Sequence, residues 1–256
     1  MLDGVVKKID YTVFATEQRF ERNHMPTLLN IQSSPRGTAS ISRTLSREFV
    51  AEWEKNHPDG TVVLRDLAES HLPFVGVPWI SGIFLPAEER SPEMQQASHI
   101  SDEFIAELFA ADHILIGTPM YNFTVPANLK AWIDLIVRPR VTHSGPPERK
   151  GLVVGKRCTI LIASGGVYEE GLPAASFDYE SGYLRRILGF IGITDVEIVL
   201  TGGTASVAFG STTLEELADQ FRPAVLAAAR CRSGAASCVH HFDRNIQDDG
   251  LCAGRR

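Results

Sequence analysis

The strongest constraint on this chain is its order of segments. Between about residues 25 and 230, strand-like and helix-like patterns alternate five times. Leu28–Ile31 is a short apolar strand, and Gln32-Ser33-Ser34-Pro35-Arg36-Gly37-Thr38 is the polar loop that leaves it. Ile41, Leu45, Phe49 and Trp53, spaced four apart, predict a helix from about Ser40 that presents one apolar stripe. His57-Pro58-Asp59-Gly60 stops that helix, and Thr61–Leu64 reads as the second strand. Phe104, Ile105 and Leu108 mark a helix from about Pro92, before the buried-type strand His113–Gly117. A helix opens at Pro126 with Leu129, Trp132, Ile133 and Ile136, and Cys158–Ile162 is the next strand. A helix around Ser181–Gly189, a strand Asp195–Leu200 and a helix Thr213–Ala229 complete the series. Parallel strands must be joined by crossovers, and helices supply them. This order therefore predicts an α/β fold: a doubly wound parallel sheet with helices on both faces.

Two segments between these units lack a regular pattern. Ala68–Gln96 carries Pro73, Pro78, Pro86 and Pro92, which reads as too proline-rich for a regular element and too long for a simple loop. Such stretches inside compact domains often serve function or form an interface. Pro139–Gly155 is the second. No internal repeat is visible, so residues 25–230 read as one domain. Residues 1–24 mix acidic and basic residues without an apolar run. This argues against a secretory signal and predicts a flexible extension that is dispensable for fold and activity. Residues 231–256, rich in Gly, Ala, Ser and Asp, read as a flexible tail.

Composition removes several function classes. A formal net charge of −6 argues against a nucleic-acid binder, which would carry a basic surplus. No apolar run approaches the ~20 residues needed to span a bilayer. Three of the four cysteines, Cys231, Cys238 and Cys252, fall in the last stretch near His240 and His241, without a tight C-x2-C knuckle. The expectation is a reduced cytoplasmic protein with no metal.

Open α/β sheets take ligands beyond the carboxyl ends of their strands, where strand order reverses. Three loops there have unusual residues. Ser33–Ser42 offers hydroxyls and backbone N–H groups at a helix start, a cradle for an anion. It is neither a Walker loop nor G-x-G-x-x-G, so one monophosphate suits it better than a triphosphate or a dinucleotide. Pro119–Phe123 sets two aromatics and the Asn122 amide at a strand end, where rings can cover a flat heterocycle. Ser164-Gly165-Gly166 lets backbone come close to a ligand. Together these loops point to a mononucleotide with a planar ring. Taken singly, each also has a structural reading: a serine N-cap, aromatics packed over a helix, and a plain turn.

The chain from Met25 to Ala229 resembles the flavodoxin-like, FMN-dependent NADH-azoreductases, also described as NADH:quinone oxidoreductases. The most specific stretch is Thr118-Pro-Met-Tyr-Asn-Phe-Thr-Val-Pro-Ala-Asn-Leu-Lys-Ala-Trp-Ile-Asp134. Ser33-Ser-Pro-Arg-Gly37, Gly155-Lys-Arg, Ser164-Gly-Gly-Val-Tyr168 and Leu188-Gly-Phe-Ile-Gly-Ile-Thr-Asp195 support it. The resemblance implies a five-stranded parallel sheet of order 2-1-3-4-5 and one non-covalent FMN per subunit. It assigns Ser34, Ser40, Ile41 and Ser42 to the phosphate loop. Met120, Tyr121, Asn122 and Phe123 match the loop that holds the isoalloxazine, and Ala163, Ser164, Gly165 and Gly166 match the turn at its pyrimidine edge. No protein acid or base is implied as catalytic, because the flavin carries the chemistry. NADH as donor, quinones or azo compounds as acceptors, ping-pong turnover and a homodimer with the site at its interface follow from the same resemblance, and Ala68–Gln96 is the candidate contact.

This sequence departs from the family pattern in two places. Ser164 stands where many relatives carry Arg, which removes a cation near the flavin and bears on redox tuning. His143, in Val141-Thr-His-Ser-Gly145, stands where many relatives have an aromatic, and bears on acceptor choice. Two other readings compete with the enzyme: a flavodoxin-type electron carrier on the same fold, and a hydrolase with Ser34 as nucleophile. The second lacks a G-x-S-x-G elbow.

Overall fold

The computed structural model describes residues 25–230. The readings of residues 1–24 and 231–256, including the cysteine and histidine cluster of the tail, lie outside these residues. Five strands, β1 (Thr27–Gln32), β2 (Thr61–Asp66), β3 (His113–Pro119), β4 (Arg157–Ala163) and β5 (Asp195–Thr201), form one sheet of order β2-β1-β3-β4-β5. Every pairing is parallel, and the expected 2-1-3-4-5 order is the one found. The order reverses between β1 and β3, which places the switch point at the carboxyl ends of those two strands.

Among the described residues, seven α-helices connect and cover the sheet: α1 (Ile41–Asn56), α2 (Val77–Gly82), α3 (Pro92–Ala110), α4 (Ala127–Ile136), α5 (Glu180–Ile191), α6 (Ala205–Ala208) and α7 (Leu214–Arg230). Strand alternation divides the core in two. On one face Leu29, Ile31, Ile114, Ile116, Ile160 and Ile162 pack with Phe104, Trp132, Leu184 and Leu188 from α3, α4 and α5. On the other, Leu28, Leu115 and Leu161 pack with Leu45, Phe49 and Trp53 of α1 and Leu217 and Val225 of α7. The fourfold spacing read in α1 is this buried stripe. β3 and β4 are buried along their whole length, as central parallel strands must be.

The segment between β2 and α3 differs from the expectation. It contains α2 and a 3-10 turn at Ala87–Glu89, where four prolines had argued against regular structure. Pro78 sits in the first turn of α2, where its missing N–H costs no hydrogen bond, and Pro92 opens α3 in the same way. The single turn α6 had no periodic signal in the sequence.

Candidate functional site

The loop after β1 turns through a 3-10 segment, Gly37–Ala39, into α1. Ser40 is the N-cap of α1: its hydroxyl accepts the Arg43 N–H at 3.4 Å. The N–H groups of Ile41 and Ser42, in the first turn, have no acceptor within the helix. Ser40 Oγ and Ser42 Oγ lie 3.1 Å apart, and Ser34 Oγ accepts the Arg36 N–H at 3.4 Å. Arg43 fixes this loop from below. Its Nε donates to Ser34 O at 2.7 Å, and both its terminal nitrogens grip Asp66 at the end of β2, at 2.6 and 2.7 Å. Burial pushes the Asp66 carboxyl up, but the Arg43 hydrogen bonds and charge, together with backbone N–H groups of Ala68 and Glu69, outweigh it and hold the group below its ordinary range. Asn128 Nδ2 donates to Ser33 O at 2.9 Å, so α4 also anchors the loop.

After β3 the chain makes a two-residue hairpin. Tyr121 and Thr124 exchange backbone hydrogen bonds of 3.0 and 3.1 Å around Asn122 and Phe123, whose φ angles are 49° and 70°. A left-handed phenylalanine is unusual, and its surroundings hold it there. The Phe123 ring stacks on Phe177 (centroids 5.2 Å apart, 30° between planes) and meets Tyr168 edge-on. Its carbonyl accepts the Tyr179 N–H at 3.1 Å. Tyr121 and Phe123 are each about two-fifths exposed. Met120, at the start of the hairpin, is tied to Ala163 O of β4 at 2.8 Å.

The third loop follows β4. Ser164 is buried, with its N–H on Thr201 O and its hydroxyl donating to Gly166 O at 2.9 Å. A Cβ on Gly165 would meet only the Ala205 side chain, at 3.9 Å, so this backbone faces open space.

The structure brings the three loops to one cavity. Ser34, Ser40, Ile41, Met120, Tyr121, Ala163 and Gly165 line it. Of the remaining sequence candidates, Ser42 meets the cavity through Ser40, Asn122 and Phe123 lie beyond Tyr121 in the hairpin, and Ser164 and Gly166 flank Gly165. Sequence reading missed Arg36, Thr204, Leu214 and Leu217, which also line the cavity. Arg36 lies in the Ser33–Gly37 stretch, whose sequence signal is its serines. The other three arrive from the loop after β5 and from α7, and no local pattern marked them. The polar groups lining the cavity are one arginine, hydroxyls and backbone, beside apolar side chains such as Met120, Leu214 and Leu217, and no carboxylate is among its lining residues. That donor set suits a phosphate at the helix start, and the Gly165 backbone suits a flat ring edge. Ser34 has no histidine partner among the described residues, so the hydrolase reading gains no support. His143 is half-buried: its ring lies 4.7 Å from that of Phe190, and burial, then Arg149, lowers its pKa.

The chain matches the family model described as a flavodoxin-like fold over residues 26–224. It is 49% identical over 191 residues to FMN-dependent NADH:quinone oxidoreductase 2 of Jannaschia sp. (strain CCS1), an alignment that covers 75% of this chain and 93% of that protein. Among solved structures, azoreductase from Bacillus anthracis str. Sterne is 31% identical with a TM-score of 0.71, covering 80% of this chain and 99% of that one. An FMN-dependent NADH-azoreductase from Bacillus anthracis str. Ames Ancestor, in complex with FMN, is 25% identical with a TM-score of 0.70, covering 79% and 97%. With the sheet order, the three converging loops and 49% identity over 191 aligned residues to such a relative, the chain belongs to the family of flavodoxin-like FMN-dependent NADH:quinone oxidoreductases.

Proposed function

We propose that this protein is an FMN-dependent oxidoreductase that passes two electrons from NAD(P)H to quinones and azo compounds by a ping-pong mechanism. The observation that carries this reading is one cavity at the sheet's switch point, with neutral donors and Arg36 at the helix start and the Met120–Phe123 hairpin beside it. Ser34, Ser40, Ser42 and the N–H groups of Ile41 and Ser42 would hold the phosphate, aided by the α1 dipole. Met120, Tyr121, Asn122 and Phe123 would wall the isoalloxazine, and Ala163, Ser164, Gly165 and Gly166 its pyrimidine edge. When bound, FMN supplies the two-electron chemistry, and the protein supplies binding, orientation and electrostatics. Ser164 puts a hydroxyl rather than a cation at that edge. The enzyme names of the relatives favour turnover over the electron-carrier reading.

The test is the visible spectrum of the purified protein before and after NADH. Flavin bands that bleach on NADH and return with menadione or methyl red are expected. Bands that never bleach would leave a carrier, and no bands at all would remove the cofactor. Arg36 bears the cavity's one lining charge, so Arg36→Ala should weaken FMN binding about tenfold, read from quenching of flavin fluorescence. An unchanged affinity would take Arg36 out of the phosphate site.

The same reading includes a cytoplasmic homodimer with the site at its interface. No described helix is long and apolar enough to cross a membrane. The segment around α2 exposes Phe74, Val77, Ile80 and Phe84, with Phe74 at 82% and Val77 at 76%. Apolar exposure this concentrated marks a contact surface. Phe74→Asp should convert the dimer to monomer in light scattering and lower turnover with it. A variant that stays dimeric would move the interface elsewhere.

A further inference from the structure

Glu180 begins α5, yet its side chain is fully buried. Thr118 Oγ1, near the end of β3, donates to Glu180 Oε1 at 3.1 Å. The second oxygen, Oε2, is buried with no hydrogen-bond partner among the described residues. Burial raises the Glu180 pKa to about 8; the Thr118 bond opposes that rise and the Asp178 charge adds to it. Asp178 is the charge that acts on this carboxyl, and the contact from β3 is the neutral Thr118. At neutral pH the side chain is therefore a carboxylic acid.

The neighbours of Glu180 grip the hairpin after β3. Phe177 stacks on the Phe123 ring, and the Tyr179 N–H holds the Phe123 carbonyl. Asp178 Oδ1 accepts the N–H groups of Glu180 and Ser181 at 3.0 and 2.9 Å, which fixes the start of the helix. Glu180 adds the remaining tie, to the strand end from which the hairpin leaves. Asn122 takes its left-handed backbone readily, but Phe123 keeps a left-handed backbone only under external restraint. A residue mid-strand or mid-helix would not need it.

We infer that Glu180 is a positioning residue: through Thr118 and the start of α5 it locks the Tyr121–Thr124 hairpin in the conformation that walls the site. The consequence for cofactor affinity rests on the FMN reading above; the lock itself does not. Ionisation leaves a buried carboxylate with one unpartnered oxygen. Such a group turns toward water, and the grip on the hairpin loosens with it.

The test uses the full chain. Amide exchange at Tyr121 and Thr124, corrected for its intrinsic pH dependence, is followed from pH 6 to 9 alongside FMN affinity by fluorescence quenching. Wild-type protection at these amides should fall about tenfold between pH 7 and 9, as the carboxyl titrates. Glu180→Gln, which cannot ionise, should show no such fall, and Glu180→Leu should show low protection throughout. The core amides of Leu115 and Ile160 should stay far better protected than the hairpin at every pH, because a merely structural residue would open all of them together. FMN affinity of the wild type should weaken in parallel with hairpin protection. Equal pH profiles for wild type and Glu180→Gln, or full protection in Glu180→Leu, would overturn the inference. Protection that tracks Glu180 in a protein that binds no FMN at any pH would uphold the lock and overturn the cofactor reading instead.

Discussion

Gly151→Ala is expected to destabilise the protein by about 3–5 kcal/mol and to lower its melting temperature by roughly 10 °C. A Cβ at position 151 would lie 2.2 Å from the Gly192 N and 2.4 Å from the Ile191 carbonyl carbon. Both are backbone atoms, so no rotamer change can relieve the overlap. Their position is fixed from two sides. Gly192 caps α5 in a left-handed conformation, φ 112°, with its N–H on Leu188 O and Gly189 O. The Val153 N–H donates to Ile191 O at 2.8 Å, so the loop after α4 is stitched onto the end of α5. Separating the two backbones would break that bond and unseat the α5 cap. Gly182→Ala in the same helix is the control. A Cβ there meets nothing within 4 Å, so the substitution should add about 0.5–1 kcal/mol by helix propensity and reduced unfolded-state entropy. Thermal and urea unfolding of both variants decide the matter. If Gly151→Ala melts within a degree or two of the wild type, the close approach of the two segments is wrong.

Gly151 also shows what one sequence conceals. In Lys150-Gly-Leu-Val-Val154 it reads as an ordinary loop glycine, because its demanding neighbour is forty-one positions away. The elements that follow local rules were legible. The α1 stripe, the apolar run Ile114–Ile116 of β3 and the Pro126 start of α4 each carry their periodicity or cap in a few consecutive residues. So was the place of the cavity, because the sheet topology dictates which strand ends converge. Three things were not legible. Around α2 proline reads locally as a breaker, whereas at a helix start it is neutral. Thr204, Leu214 and Leu217 reach the cavity only through the tertiary placement of α6 and α7. Glu180 carries no local mark of burial, since acidic residues are usually at the surface, and only the packing of α5 against β3 buries it. Phe123 was expected in the ring-holding loop, but its left-handed backbone had no warning in its residue type.

Stability should have a broad plateau between about pH 5 and 6.5 and fall on both sides, with a different buried residue responsible for each limb. On the acid side the residue is His113, on β3, with its ring edge-on to Phe49 and its Nε2 2.9 Å from Thr159 Oγ1. Burial, with Arg157 and then His57 adding, lowers its pKa from 6.5 to about 3. Its contribution is whole above pH 6.5. It is lost as pH falls toward 3, because the unfolded chain takes up a proton that the folded chain refuses. On the alkaline side the residue is Glu180, whose pKa rises from 4.5 to about 8. Its contribution is whole below pH 4.5 and is lost as pH climbs toward 8, because the unfolded carboxyl releases its proton first. Each pH unit between folded and unfolded pKa is worth about 1.4 kcal/mol, so each limb amounts to a few kcal/mol over its full span. Glu180→Gln should flatten the alkaline limb and leave the acid one, so that the variant becomes the more stable protein near pH 8. His113→Gln should flatten the acid limb and leave the alkaline one. Slopes of unfolding free energy against pH, rather than absolute values, are the readout, since either substitution also changes packing. An alkaline limb that persists in Glu180→Gln would mean that Glu180 is already charged in the folded protein.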